Sequence, residues 1–194
     1  MMTEFIRSFL AIELPQSNQE EVLDLIRFYR ELTPSEIKWV GRENLHITLK
    51  FLGRFQKEHI KDLRVCLVSE VEKIPSFPIA IDRLGAFPII QKPKVIWLGF
   101  DRPKDLNLIF SHIEDCVVSL GYEVDDRPFS PHLTLGRIRR DASNNVIKDI
   151  SQILMNTKFD FRSVFCATKL TLFQSELTKK GPIYSRIFDL ELAS

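Results

Sequence analysis

The sequence carries one strand-length motif twice: His46-Ile47-Thr48-Leu49 and His132-Leu133-Thr134-Leu135 agree at three of four positions and lie 86 residues apart. Each reads polar-apolar-polar-apolar, the period of a half-buried strand. On such a strand the His and the Thr two residues on share one face, about 6–7 Å apart. The apolar members point the other way, into a core. Each half of the chain therefore offers one imidazole and one hydroxyl on a common surface.

Displacing the chain by 86 tests whether the motif belongs to a larger repeat. Leu10 then falls on Ile96, His59 on Asn145 and Ala80 on Cys166. Patterning predicts strands over 8–14, 38–40, 45–52, 77–84, 95–100, 132–138 and 182–190, one long strand or a bent pair of strands over 159–173, and a short one at 122–124. Helices are predicted after Ser17, whose capping box would close with Glu20, and over 57–74, 103–120 and 144–156. Gly53 is expected to stop its strand, and Gly85–Pro93 to form the loop between the halves. Strand lands on strand and helix on helix. The expected fold is α+β and bilobal: two lobes related by an approximate two-fold axis, each a mostly antiparallel sheet with outer helices, around a central groove. The chain is expected to form a single domain over 1–194 with approximate halves 1–88 and 89–194. Neither half is large enough to stand alone, so a shared core is expected.

A chain of 194 residues with net charge +1 is not a broad duplex-binding surface, which needs many unpaired cations. A small anionic ligand or an RNA end remains compatible. Cys66, Cys116 and Cys166 are widely spaced and form no CxxC pair, so neither a zinc site nor a disulfide framework is expected. They read as small apolar residues in a reducing compartment. No signal peptide and no run of membrane-spanning length are evident, so a cytoplasmic protein with no membrane partner is expected.

His46 and His132 are the first candidates for chemistry. An imidazole titrates near pH 6.5, so one copy can take a proton while the other gives one. A lone strand His is more often structural; two in matched tetrapeptides favour function. His59 and His112 lack that context and read as surface or capping residues. Thr48 and Thr134 can donate hydrogen bonds to phosphate oxygens where charge builds up. Arg137 offers a guanidinium fork. Strict alternation puts it opposite His132, unless a bulge at Gly136 brings it round. Its counterpart in the first half is Phe51. Phe87 and Phe129, expected in loops, are the favoured base-stacking candidates, ahead of Trp39 and Tyr184, although aromatics are more often core. Lys92-Lys94, Arg137-Arg139-Arg140 and Lys179-Lys180 are short basic clusters that could border a groove. The P-loop, dinucleotide, nucleophile-elbow and HExxH motifs are all missing, and no cofactor or metal is expected.

At these residues the chain resembles the two-histidine (2H) phosphoesterase superfamily, defined by paired His-x-Thr-x motifs. More narrowly it resembles the RNA 2′,3′-cyclic phosphodiesterases, also called 2′-5′ RNA ligases. The supporting segments are Arg7–Pro15, Trp39-Val40, Asn44–Gly53, Gly85–Pro88, Val95–Gly99, Pro131–Arg137 and Gly181–Tyr184, spread over nearly the whole chain.

The resemblance implies a bilobal fold and metal-independent hydrolysis of an RNA or nucleotide 2′,3′-cyclic phosphate to a 2′-phosphate. It implies His46 as proton donor and His132 as acceptor, with Thr48, Thr134 and Arg137 on the phosphate. The reverse 2′-5′ ligation would use the same groups. The implied partner is an RNA end or a nucleotide 2′,3′-cyclic phosphate, bound by a monomer. Two rivals stand beside this reading: a non-catalytic RNA-end or nucleotide binding module, and a 2H esterase acting on a small cyclic nucleotide or a 2′-5′ oligonucleotide.

Overall fold

The computed structural model describes residues 4–101, 103–124, 128–178 and 181–193. The basic pair Lys179-Lys180 lies outside them. The described chain runs β1 (Phe5–Glu13), α1 (Gln16–Leu32), β2 (Ile37–Trp39), β3 (His46–Gln56), α2 (Ile60–Val71), β4 (Phe77–Ile89) and β5 (Lys92–Asp101). It continues through α3 (Lys104–Ser119), β6 (Leu133–Ile138), α4 (Asn144–Asn156), β7 (Ser163–Ala167), β8 (Lys169–Thr178) and β9 (Gly181–Glu191).

The nine strands join in one sheet in the order β7-β4-β5-β6-β3-β1-β8-β9, with β2 added beside β6. Every strand pair is antiparallel. The repeat is legible in that order. A displacement of 86 carries β1 onto β5, α1 onto α3, β3 onto β6 and α2 onto α4. The pair β1–β3 thus corresponds to the pair β5–β6. Strands also cross between the sequence halves: β4 pairs with β5, and β8 with β1. Each half of the sheet contains chain from both ends of the sequence, which is why the core is continuous.

That core lies between the helices and one face of the sheet. It takes the alternate strand residues Leu10, Ile12, Ile47, Ile96, Leu98 and Leu133 together with Val22 and Ile26 of α1, Leu63 and Leu67 of α2, Ile109 and Ile113 of α3, and Ile150 and Leu154 of α4. The opposite face carries a small separate cluster of Phe9, Ala11 and Phe173, with Tyr184 against it. This second face forms the floor of the groove.

Several local expectations change. Gly85–Pro93 is no loop: β4 and β5 pair through it, up to Ile89↔Lys92. Its prolines and glycine suggested a break, but Gly85 is required for a different reason, since a Cβ there would sit 2.3 Å from the Trp97 ring. Gly53 does not end β3. It adopts φ +62° inside the strand, beside a register shift in the pairing with β1. Ser17 does not cap α1. The helix begins at Gln16 behind Pro15, and the Ser17 hydroxyl donates instead to Asn18. Residues 122–124 form no strand; the Tyr122 hydroxyl accepts from the Gln56 amide at 3.0 Å and meets His59 Nδ1 at 3.0 Å. His112 pairs with Glu70 at 2.7 Å.

Cysteine usage needs the largest correction. Cys66 on α2 and Cys116 on α3 form a disulfide, with Cα atoms 5.7 Å apart at a sequence separation of 50. Helix packing brings them together, and sequence spacing carries no trace of it. Only Cys166 is free among the described residues.

Candidate active site

β3 and β6 meet at one residue pair, Ile47↔Leu133. Continuing that antiparallel register by one residue either way sets His46 across from Thr134, and Thr48 across from His132. Opposed Cβ atoms in such a ladder stand about 5 Å apart. Two imidazoles and two hydroxyls therefore alternate around a four-cornered patch on the groove face. Ile47 and Leu133 beneath it are fully buried, which fixes which face the four polar residues take.

Each imidazole has an aromatic setting. His46 stacks on Phe9 with centroids 4.9 Å apart, meets Tyr184 edge-on at 5.3 Å and lies 6.1 Å from Phe173. His132 meets Phe87 edge-on at 4.9 Å and lies 6.4 Å from Trp97. The arrangement follows the two-fold, because the displacement of 86 carries Phe87 onto Phe173. Phe173 and Phe9 were not singled out from the sequence, yet that displacement applied to Phe87 points directly at Phe173. Phe87 belongs to strand β4, not to a loop.

Phe129 lies elsewhere. Its ring is parallel to Phe110 of α3 at 4.3 Å and packs against the main core. Its place three residues before His132 gives it no ring contact with either imidazole among the described residues; Phe110 is its ring partner instead.

Arg137 reaches the groove face by a bulge. In the β5–β6 ladder, Trp97 pairs with Thr134 and Ile96 with Gly136, so Leu135 is an extra residue. The bulge falls one residue ahead of Gly136, and alternation inverts beyond it. The first motif does the same: Ala11 pairs with Thr48 and Leu10 with Lys50, leaving Leu49 extra. Arg137 and Phe51 are thereby both turned toward the groove.

The electrostatics distinguish the two rings. Burial, and then the charge of His132, bring His46 down to about 4. His132 is also lowered, by burial first and by Arg137 as well. It is partly held up by a hydrogen bond of 2.8 Å in which Nδ1–H donates to the Ser130 carbonyl. That bond leaves Nε2 as the nitrogen that gains or loses the proton. His46 thus senses the charge of His132 across the patch, and the pair holds its first proton on His132. The Tyr184 hydroxyl, raised by burial, lies within the field of Arg137 and Arg7.

Beside His46 a cavity of about 300 Å³ opens between Glu13, Arg42 and Phe173. Glu13 is the cross-strand partner of His46. It is held by Arg186 at 2.6 Å and by the Thr171 hydroxyl at 3.3 Å. No sequence signal marked it. Taken together, the patch presents two imidazoles, two hydroxyls and a guanidinium on one face of the sheet.

Comparison with known proteins places the chain in a family. A model of the family described as LigT-like phosphoesterases matches the chain twice, over residues 12–97 and 99–184. A protein of Methanocaldococcus jannaschii named RNA 2′,3′-cyclic phosphodiesterase is 34% identical over 94% of this chain and 98% of its own length. One of Archaeoglobus fulgidus with the same name is 35% identical over 95% of this chain and 100% of its own. The crystal structure of Escherichia coli LigT complexed with 3′-AMP has a TM-score of 0.78 at 25% identity, covering 98% of this chain and 100% of that one. The repeated match, the length of the shared sequence and the paired His/Thr strands lead to one conclusion: this chain belongs to the LigT-like phosphoesterase family.

Proposed function

We propose that the chain hydrolyses the 2′,3′-cyclic phosphate at an RNA end to a 2′-phosphate, as a monomeric cytoplasmic enzyme. The observation that carries this reading is the Ile47↔Leu133 register, which sets both imidazoles and both threonines on one face. Relatives that bear the name RNA 2′,3′-cyclic phosphodiesterase support it.

In the reaction one imidazole takes a proton from water and the new P–O bond forms. The P–O3′ bond breaks, and the other imidazole gives its proton to the leaving 3′-oxygen. Thr48, Thr134 and Arg137 neutralise charge on the non-bridging oxygens as it develops. The reverse step, 2′-5′ joining of a cyclic end to a hydroxyl, runs through the same groups.

Family likeness gives His46 the donor role and His132 the acceptor role. In that assignment the bound phosphate must draw the pair's proton from His132 to His46. The lowered His46 and the Ser130-anchored His132 favour a second assignment, with His132 as donor and His46 as base.

A substrate with bridging 3′-sulfur separates the two, because a thiolate leaves without protonation. The donor's Ala variant regains turnover on that substrate and the base's variant does not. Equal turnover of His46→Ala or His132→Ala and wild type on the ordinary substrate, assayed in EDTA, rejects the reaction as a whole.

A further inference from the structure

One feature of the groove face breaks a pairing rule. Arg7 of β1 and Arg54 of β3 are direct cross-strand partners. Both are exposed. Among the described residues neither makes an ion pair with a carboxylate. Like charges set opposite one another in an antiparallel ladder are destabilising. Nearby Glu4 does not relieve them, because it is bound to Lys57 at 3.0 Å. Arg54 is held in place: its guanidinium lies over the Phe5 ring, 4.6 Å from the centroid.

The pair also stands in the right place. β1 alternates without interruption, so Arg7 shares the groove face with Phe9, Ala11 and Glu13. Arg7 is four residues from Ala11, the partner of Thr48, which is about 13 Å along the strand. That is farther than a terminal ribose and its cyclic phosphate extend. Phe51, exposed at 57%, lies on the surface between, its ring 5.7 Å from Phe9. The influence of Arg7 on Tyr184 shows that its charge is felt toward the groove.

We infer that Arg7 and Arg54 form a second anion site, and that its occupant is the phosphodiester backbone of the RNA strand upstream of the cyclic phosphate. The inference rests on the reading given under Proposed function and deepens it: the substrate is an oligonucleotide bound along the groove, not a mononucleotide. A bound phosphate relieves the Arg7–Arg54 repulsion, so the cost of placing the two cations together is recovered only when a strand is present. A mononucleotide leaves the pair empty.

The test compares the wild-type chain with Arg7→Gln, Arg54→Gln and the double variant, by fluorescence anisotropy on a labelled RNA octamer ending in a 2′-phosphate. Hydrolysis of the cyclic octamer and of a nucleoside 2′,3′-cyclic phosphate is measured alongside. Loss of a charged hydrogen bond predicts about tenfold weaker octamer binding for each arginine removed. The slope of log affinity against log salt should become shallower by about 0.7 in the double variant, the share of one phosphate contact on a single strand. The octamer's advantage in kcat/KM over the mononucleotide should collapse. Thermal stability should hold or rise, since a like-charge pair is removed. Unchanged octamer affinity and salt slope would overturn the inference, as would an equal loss on both substrates. Wild-type chain that binds the octamer with an arginine-dependent slope yet hydrolyses neither substrate sinks the enzyme reading and leaves the anion site standing.

Discussion

Phe51 and Arg137 are two-fold mates: each follows the bulged leucine of its motif, Leu49 or Leu135, by two residues, and each is turned by that bulge onto the groove face. The backbone device is the same in both lobes and the side chains are not. One lobe offers an aromatic surface, the other a cation, so a symmetric scaffold presents an asymmetric site. A substrate with a base at one end and a phosphate at the other matches that asymmetry.

Separate effects on the two steps of catalysis follow. Arg137→Gln removes a charge-assisted donor, about 1.5–3 kcal/mol, and should lower kcat/KM by roughly 10–100-fold, with much of the loss in kcat. Phe51→Ala removes a stacking surface and should raise KM with little change in kcat, by about 1–3 kcal/mol per stacked base. Steady-state kinetics on an RNA cyclic phosphate, with both variants side by side, reads the split. A Phe51→Ala variant that loses kcat at constant KM contradicts the division.

The motif, the repeat and the alternation of strand faces were legible because each is a local pattern repeated at a fixed displacement. His46, Thr48, His132 and Thr134 needed nothing more. The bulges at Leu49 and Leu135 were not legible, because two consecutive buried residues read alike whether a strand is regular or bulged. The sequence pattern alone therefore leaves the face of Arg137 open. Glu13, Phe9 and Phe173 surround His46 through pairing of β1 with β3 and β8, contacts set by topology and not by spacing. Phe129 marks the opposite limit: proximity in sequence to His132 is not proximity in space. Cys66 and Cys116 are joined by the packing of two helices that no sequence interval announces.

The pH dependence is set by the coupled imidazoles. The active form carries one proton on the pair, whichever ring holds it. His46 at about 4 marks the acid side, and His132 below the ordinary value of 6.5 marks the alkaline side. A plot of kcat/KM against pH should be bell-shaped with its maximum between about 4 and 6.5. Stability carries the same signature. Between those limits the folded chain binds fewer protons than the unfolded chain, because its His46 stays neutral. Stability is therefore full above about 6.5 and declines as pH falls toward 4. Urea midpoints measured across that window should fall with pH in wild type and flatten in His46→Gln. A rise on acidification would contradict the burial of His46.

Lys50 is the one charged residue among the buried described residues, at 6% exposure. The Leu49 bulge sends it beneath the sheet, where its ammonium pairs with Glu114 of α3. Its two-fold mate is Gly136, packed beneath Ile37 and Trp39 of β2. The first motif's bulge is thus accompanied by a charge pair and the second by a close approach of strands. Removing one partner of a buried pair costs about 3–5 kcal/mol, while an apolar pair of similar volume is often neutral. Lys50→Met should accordingly lose most of that amount in chemical denaturation, and Lys50→Met with Glu114→Leu should regain it. A single variant as stable as wild type would show that the pair is idle.

The Cys66–Cys116 bridge ties α2 to α3 on the side of the sheet away from the groove, closing a loop of 50 residues. Constraining a loop of that size in the unfolded chain is worth about 4 kcal/mol on the chain-entropy account. For a domain of this length that corresponds to a fall in Tm of roughly 8–16 °C on reduction. Because both cysteines lie on the helical layer, reduction should leave turnover at 25 °C unchanged while lowering the melting temperature. The comparison is a thermal melt and an activity assay, with and without dithiothreitol, on wild type and on Cys66→Ser with Cys116→Ser. The double variant should melt at the reduced protein's temperature and ignore the reductant. Activity lost on reduction at 25 °C would mean instead that the helical layer controls the position of β3, and with it His46.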